Sequence, residues 1–289
     1  MSVLNNKIGK GYVLLSTYIC VAVTLLIFIV LFSNSYDALH QVGLNLFTLE
    51  WNPSSNKFGV LSMLYGTITV TFIALIIATP LGISAAIFTS QMTSSKGRIL
   101  IKSTLELLAS IPSIIYGLIG IAFFSTWVAS IFDLSTGRTL FTAGILLSFM
   151  ILPTIITLCD DALHNIPKHY SEASKGLGMY PYEIIKNVLL PIASRDIAGA
   201  ILLALGRALG ETMAVMLLIG SIDKIPDPFY NILSPGQTIT SKLGREIGES
   251  AFGSLHFSAL NTIGCLLMVL VIIITITTQV HFKKERLYE

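Results

Sequence analysis

Charge is scarce in this chain. Asp, Glu, Lys and Arg make up 12% of its 289 residues, about half the roughly 25% usual in a soluble domain. That shortage excludes an ordinary water-facing surface, and a net charge of +2 carries no message for nucleic acid or for an acidic partner. Cysteine is scarce too: three residues, Cys20, Cys159 and Cys265, none in a C-x-x-C pair. Together with five scattered histidines they give no metal-ligand spacing. The cysteines read as small apolar residues within hydrophobic runs. Ser-His-Asp, H-E-x-x-H and G-x-S-x-G patterns are missing, which leaves no catalytic constellation. The G-x-x-x-x-G-K-[ST] loop that cradles nucleotide phosphates is missing as well. No catalytic residue, metal or cofactor is expected, and any use of ATP falls to another subunit.

What the chain has is long apolar runs, with 53% of its residues apolar. Charge-free stretches cover 11–36, 58–95, 107–132, 139–159 and 250–282, each longer than the roughly 18 residues that signal a membrane-spanning helix. A further run, 198–222, is apolar apart from Arg207 and Glu211. Six transmembrane helices are therefore expected, an all-α membrane protein. The first run is too long for a signal-peptide core of roughly 7–15 residues and lacks an A-x-A-like site after it, so it reads as an uncleaved anchor. Residues 1–36 then form an N-terminal segment with the first helix, and 58–282 the main transmembrane domain, with a long loop at 160–197.

Six crossings put both termini on one side. Of 18 basic residues, Lys57, Arg138, Lys224, Lys242 and Arg245 fall on the opposite side, Arg207 falls in the membrane, and the remaining twelve share the side of the termini. The positive-inside rule makes that side cytoplasmic. Trp51, Tyr65 and Trp127 then sit near the outer interface, where aromatic rings are favoured.

Arg207 and Glu211 are the energetic anomaly. A charge at bilayer depth costs several kcal/mol on most scales (about 2.5–3.5 for translocon insertion), and such residues face a protein interior or an ion path. On an unbroken helix their spacing of four places both on one face. Arginine stays charged and its planar fork fits an oxyanion bidentately. Two readings stand: Arg207 lines a charged path with Glu211 orienting it and Thr212 beside them, or the two form an ion pair that locks their helix to a neighbour. Gly206 and Gly210 make a G-x-x-x-G pair that permits close helix contact. Pro80, Pro112 and Pro153 interrupt the second, third and fourth runs, and proline kinks a helix. The kink at Pro112 is flanked by hydroxyls, Ser110 and Ser113, and by Gly117, which adds Ser110 and Ser113 to the candidate path. Glu106 is expected at the cytoplasmic start of the third helix, as a cap.

In the 160–197 loop, Ile166, Tyr170, Ala173 and Leu177 recur at intervals of four, three and four, one helical face. Gly178 suits a helix end with positive φ. Pro181 suits the start of a second short helix, with Tyr182, Ile185 and Leu189 on its face and Pro191 as its stop. The expected shape is a helix–corner–helix projecting from the membrane; an amphipathic helix lying on lipid fits the periodicity equally.

Glu172-Ala-Ser174, three residues, Gly178, nine residues, Val188-x-Leu190-Pro191 resembles the E-A-A-x3-G-x9-I-x-L-P loop of bacterial ABC-importer permeases, with Ser174 and Val188 as mild departures. Pro112-Ser-Ile-Ile-Tyr-Gly117, Ala204-Leu-Gly-Arg-Ala-Leu-Gly-Glu-Thr-Met-Ala214 and Ser234-Pro-Gly-Gln-Thr-Ile239 resemble the phosphate-importer permeases, on the PstC rather than the PstA side because Met213-Ala-Val follows Thr212. The resemblance runs from Lys10 to Lys284. It implies a type I ABC-importer permease fold in a bacterial or archaeal plasma membrane. Glu172, Ala173, Gly178, Leu190 and Pro191 are implied to couple to the ATPase. The implied partners are a PstA-like sister permease, two PstB-like ATP-binding subunits, and a PstS-like phosphate-binding protein docking on the 33–57 and 223–250 loops. A sulfate or molybdate permease and a membrane sensor of phosphate status are the alternative functions. The coupling loop argues against an uncoupled channel.

Overall fold

The computed structural model describes residues 2–285. Six helical segments in it are long and apolar enough to cross a membrane: Gly9–Gln41, Leu61–Met92, Ser113–Ile131, Leu140–His164, Pro181–Gly210 and Leu255–Thr278. Their number matches the expectation, while several boundaries and interruptions differ.

Helix α1 (Ser2–Gln41) leads through a short hairpin, β1 (Trp51–Asn52) and β2 (Lys57–Phe58), paired antiparallel. Helix α2 (Leu61–Ile87) carries Pro80 inside it and ends in a π-helical turn, Phe88–Met92. Helix α3 (Ser95–Ser110) follows, capped by the Ser94 side chain, which accepts from the Gly97 amide. A break at Pro112 separates it from α4 (Ser113–Ile119), which continues through a π turn into α5 (Thr126–Ile131). Helix α6 (Leu140–His164) is long and contains Pro153. Two short helices, α7 (Lys168–Gly176) and α8 (Pro181–Ile184), precede α9 (Leu190–Gly210) and α10 (Met213–Leu218). Then come α11 (Ile239–Glu246) and α12 (Leu255–Glu285).

Helix α6 is the hub. Of its most apolar stretch 67% is buried, against none in α1, so α6 lies inside the bundle and α1 on its outside. The main core joins Val70, Ala74 and Ala78 of α2 to Leu147, Ile151 and Ile155 of α6 and to Ala200, Ala204 and Ala208 of α9. The small residues of α2 and α9 are what let three backbones approach without help from the hydrophobic effect, which lipid largely removes. A second core gathers Ala38 and Val42 of α1, Trp51 and Phe58 of the hairpin, and Leu260 and Ile263 of α12.

Helix α3 departs from the sequence reading, which has Leu107 opening the third span. Its charged residues are the reason. Arg98 and Lys102, one turn apart, bind the cytoplasmic end of α6: Arg98 Nη2 lies 2.6 Å from Asp160 Oδ2, and Lys102 pairs with Asp161. The opposite face is apolar and exposed at Leu100 and Leu107. Helix α3 is thus an interfacial helix pinned by ion pairs, and Glu106 sits within it, exposed, instead of capping a span.

The segment between α10 and α12, read from sequence as an outer loop, folds back into the bundle. The amide of Ile239 donates to Thr67 Oγ1 at 3.0 Å, and the amide of Gly236 donates to the Ile219 carbonyl at 2.8 Å. Gly66 makes this docking sterically feasible, because a Cβ there would come within 2.0 Å of the Gln237 carbonyl oxygen. Lys242 on α11 is buried and ion-paired to Asp223 and, at 2.6 Å, to Glu246 Oε1. Glu246 Oε2 also accepts from Trp51 Nε1 at 3.1 Å and lies 3.0 Å from His256 Nε2. This network fastens the re-entrant segment to the hairpin and to α12.

Burial pushes the Glu246 carboxyl up, but the hydrogen bonds from Lys242 and His256 outweigh it and leave the group below its ordinary value. A carboxyl so depressed contributes stability above its unfolded-state pKa and loses it only as pH falls through the lowered folded value, so the fastening persists into mild acid. Lys242→Met is expected to destabilise the chain by about 3 kcal/mol, since it takes the cation from Asp223 and leaves Glu246 only Trp51 and His256; a fall in the thermal midpoint of the detergent-purified protein checks this.

Candidate functional site

Arg207 lies in the last turn of α9, part-buried, and its Nη1 donates to Thr154 Oγ1 on α6 at 3.0 Å. Thr154 directly follows Pro153, whose missing amide leaves one helix carbonyl free at that level. Among the described residues no carboxylate pairs with Arg207. An intact guanidinium charge therefore sits at depth with one hydroxyl as its side-chain partner, and most of its five donors remain open.

Glu211 is not on the same helix. The α9 ladder ends at Gly210, Glu211 takes an extended conformation (φ −69°, ψ 123°), and the chain resumes as α10 at Met213. The i, i+4 relation to Arg207 is lost with the break, and no ion pair joins the two. Instead the Glu211 carboxylate accepts from the Ala214 amide at 3.5 Å, a long contact over the first turn of α10, and its carbonyl accepts from Thr240 Oγ1 at 2.8 Å. Thr212 Oγ1 donates to the Gly210 carbonyl at 3.2 Å. The hydroxyls thus satisfy backbone groups that the break frees, which is how irregular backbone survives at membrane depth.

A second break, at Pro112, opens α4. Gly117 of α4 faces Ala214 and Leu217 of α10, and Gly120 faces Leu218; both sequences rise together, so α4 and α10 run parallel. The breaks that open these two helices, at Pro112 and at Glu211–Thr212, lie at the same end of the packed pair. Ser110 Oγ donates to the Leu107 carbonyl at 2.7 Å, and Tyr116 closes the turn by donating to the Leu108 carbonyl at 2.9 Å. Ser113 opens α4. No hydrogen bond joins Ser110 or Ser113 to Arg207 among the described residues. The structure brings the two broken helices together without linking those side chains. Thr154 is the residue that sequence reading missed; its position after a proline in a charge-free helix is the only signal it carries.

At the cytoplasmic end, α7 and α8 meet at a corner. Gly178 has φ +81°, and its amide donates to the Lys175 carbonyl at 3.0 Å. Pro181 is the first residue of α8, and Glu183 accepts from the Tyr180 amide at 2.8 Å as a capping contact. Ser174 is buried, while Glu172, Ala173, Leu177, Tyr180 and Tyr182 are exposed, with Leu177 83% exposed. Tyr170, Ala173 and Leu177 of the apolar stripe thus face outward, whereas Ile166 packs against the main core.

Pro191 does not end α8. A π-helical turn, Ile185–Leu189, joins α8 to α9, and its wider hydrogen bonding, with the Leu190 amide donating to the Ile185 carbonyl, accommodates a proline in the next turn. Helix α8 and the helix that carries Arg207 are one continuous rod, Pro181–Gly210.

The family model described as the binding-protein-dependent transport system inner membrane component matches residues 78–284. The phosphate transport system permease protein PstC of Mesorhizobium japonicum is 37% identical over 264 residues, covering 84% of this chain and 80% of that protein. PstC of Haemophilus influenzae is 31% identical, covering 89% of this chain and 87% of that protein. Among solved structures, the MetNI methionine ABC transporter in inward-facing form aligns at a TM-score of 0.57 with 22% identity, over 78% of this chain and 94% of that one. A bacterial ABC transporter for the acidic polysaccharide alginate aligns at 0.58 with 15% identity, over 84% of this chain and 88% of that one. The fold is that of a type I ABC-importer permease, and the chain is a multi-pass membrane protein of the binding-protein-dependent transport permease family, a transporter subunit and not an enzyme.

Proposed function

We propose that this chain is one of two permeases of an ATP-driven importer of inorganic phosphate in a bacterial inner membrane. It shares the translocation path with a PstA-like sister permease. Two PstB-like ATP-binding subunits drive it, and a PstS-like protein delivers phosphate from outside. The observation that carries this reading is Arg207, a charge at membrane depth with no carboxylate partner among the described residues. An isolated intramembrane arginine is expensive, and a doubly charged tetrahedral oxyanion offers the bidentate acceptor its fork lacks. The likeness to PstC proteins supports phosphate as that anion.

The mechanism follows from the rod. ATP shifts a conformational equilibrium only through unequal affinity for the two states, so closure of the ATPase pair must be transmitted by something stiff. The exposed α7–α8 corner presents Glu172, Ala173 and Leu177 to an ATPase cleft, and Leu190 and Pro191 sit in the same rod as Arg207. Displacement of the corner moves the α9–α10 break relative to Thr154 on α6. Arg207 then exchanges its threonine hydroxyl for phosphate oxygens and back. Glu211, if it faces the path in one state, accepts a P–OH hydrogen bond from phosphate and repels sulfate, which has none at neutral pH.

Expression in cells deprived of their own permease of this type, together with its three partner subunits, is expected to restore uptake of labelled phosphate. Loss of uptake on omitting any one subunit supports the assembly, and uptake by this chain alone would contradict it.

A further inference from the structure

The extracytoplasmic mouth carries a second basic feature, separate from the helix breaks. A cavity of about 340 Å³ is lined by Arg138, Met216, Leu217, Gly220, Ser221 and Arg245. Of the outer basic residues, Lys57 is neutralised by Glu50, and Lys242 by Asp223 and Glu246. Arg138 and Arg245 have no carboxylate partner among the described residues, and no carboxylate lines their cavity. Two uncompensated guanidinium groups therefore share one concave site with partly apolar walls, an arrangement that concentrates positive potential.

Both arginines are carried on fixed backbone. Arg138 precedes Thr139, the buried cap of α6, whose side chain accepts from the Thr142 amide at 3.1 Å. Gly220 (φ +86°) packs so closely that a Cβ there would lie 2.8 Å from the Arg138 carbonyl oxygen. Arg245 rides on the last turn of α11, whose first turn, Ile239 to Lys242, is buried. Its Nη1 donates to the Ser221 carbonyl at 3.2 Å, which orients the guanidinium and leaves its other donors available. The floor of the cavity, Met216 and Leu217, belongs to α10, and α10 starts at the break beside Arg207. That helix is six residues long, about 9 Å at 1.5 Å per residue.

We infer that Arg138 and Arg245 form an outer receiving site for a divalent tetrahedral oxyanion, separated from Arg207 by α10 and the break that precedes it. The anion leaving the binding protein is held there by two forks before it passes α10 to the inner arginine. With phosphate as that anion, the inference rests on the importer reading above.

The test uses the assembled four-component importer in proteoliposomes, with labelled phosphate and saturating loaded binding protein. Arg138→Gln combined with Arg245→Gln is expected to lower phosphate moved per ATP hydrolysed about tenfold, of the order expected when charge-assisted contacts are lost. Stimulation of ATP hydrolysis by the binding protein should stay at its wild-type level, which also shows that the variant is folded and assembled. The double lysine variant should retain most of the transport. Unchanged transport in the glutamine variant overturns the inference. So does a joint fall of transport and ATPase stimulation with a higher half-saturating binding-protein concentration, because the pair would then be docking protein and not receiving anion. Wild-type uptake separates the two readings: should the importer carry another oxyanion, the phosphate assignment fails, and the variant-to-wild-type ratio is read with that anion instead.

Discussion

Arg207→Gln is expected to reduce phosphate uptake about a hundredfold, the scale seen when one preorganised donor is removed from a site where anionic charge must be stabilised. Glutamine keeps a polar donor but ends two bonds short of the guanidinium nitrogen that contacts Thr154 at 3.0 Å, so the charge and that contact are lost together. Lysine keeps the charge but replaces a planar fork by a point donor, and Arg207→Lys should retain a measurable fraction of uptake. ATP hydrolysis stimulated by the binding protein should survive in both, since the α7–α8 corner is untouched. Initial rates of labelled uptake alongside released inorganic phosphate from ATP give both quantities. Full transport by the glutamine variant would remove Arg207 from the path and leave it a role in packing α9 on α6.

Gly178→Val is expected to have the opposite profile, with uptake and stimulated ATP hydrolysis lost together. At φ +81° an L-residue is strained, a β-branched one severely so. Nothing lies within 4 Å of a Cβ built at Gly178, so the cost is purely one of backbone conformation and the corner must re-form at another angle. Gly178→Asn should be much milder, because asparagine visits the left-handed region. The membrane core does not contact this residue, and the valine variant should still purify with its sister permease. Wild-type coupling in Gly178→Val would show that the corner is not the transmitting element.

Much of this was legible in the sequence because lipid imposes strong rules. Five charge-free runs and one interrupted only by Arg207 and Glu211 revealed all six crossings, since burying a helix in hydrocarbon leaves few alternatives. Arg207 stood out by its cost alone. Gly178 and Pro181 revealed the corner through backbone chemistry that tertiary context rarely overrides. The misreadings share a cause as well. Spacing of four implies a shared face only while a helix is unbroken, and no residue type at Glu211 or Thr212 announces a break; it is sustained by Thr240 and Gly210, contacts made by folding. Pro191 was read as a stop because a π turn has no sequence signature. The last turn of α3, from Leu107, reads as the start of the third span because it is continuous with that apolar run, and the partners of Arg98 and Lys102 lie more than fifty residues away on α6. The re-entrant segment with Lys242 looked like a polar outer loop, since the carboxylates that allow burial of its lysine are recognisable only once the chain is folded.

The most direct measurement is labelled phosphate uptake into proteoliposomes containing the complete importer, with and without ATP on the cytoplasmic side and with excess unlabelled sulfate outside. Uptake that requires ATP, ignores sulfate and disappears with Arg207→Gln is the expected result. Uptake without ATP, or competition by sulfate as effective as that by phosphate, would contradict an ATP-driven phosphate path through Arg207.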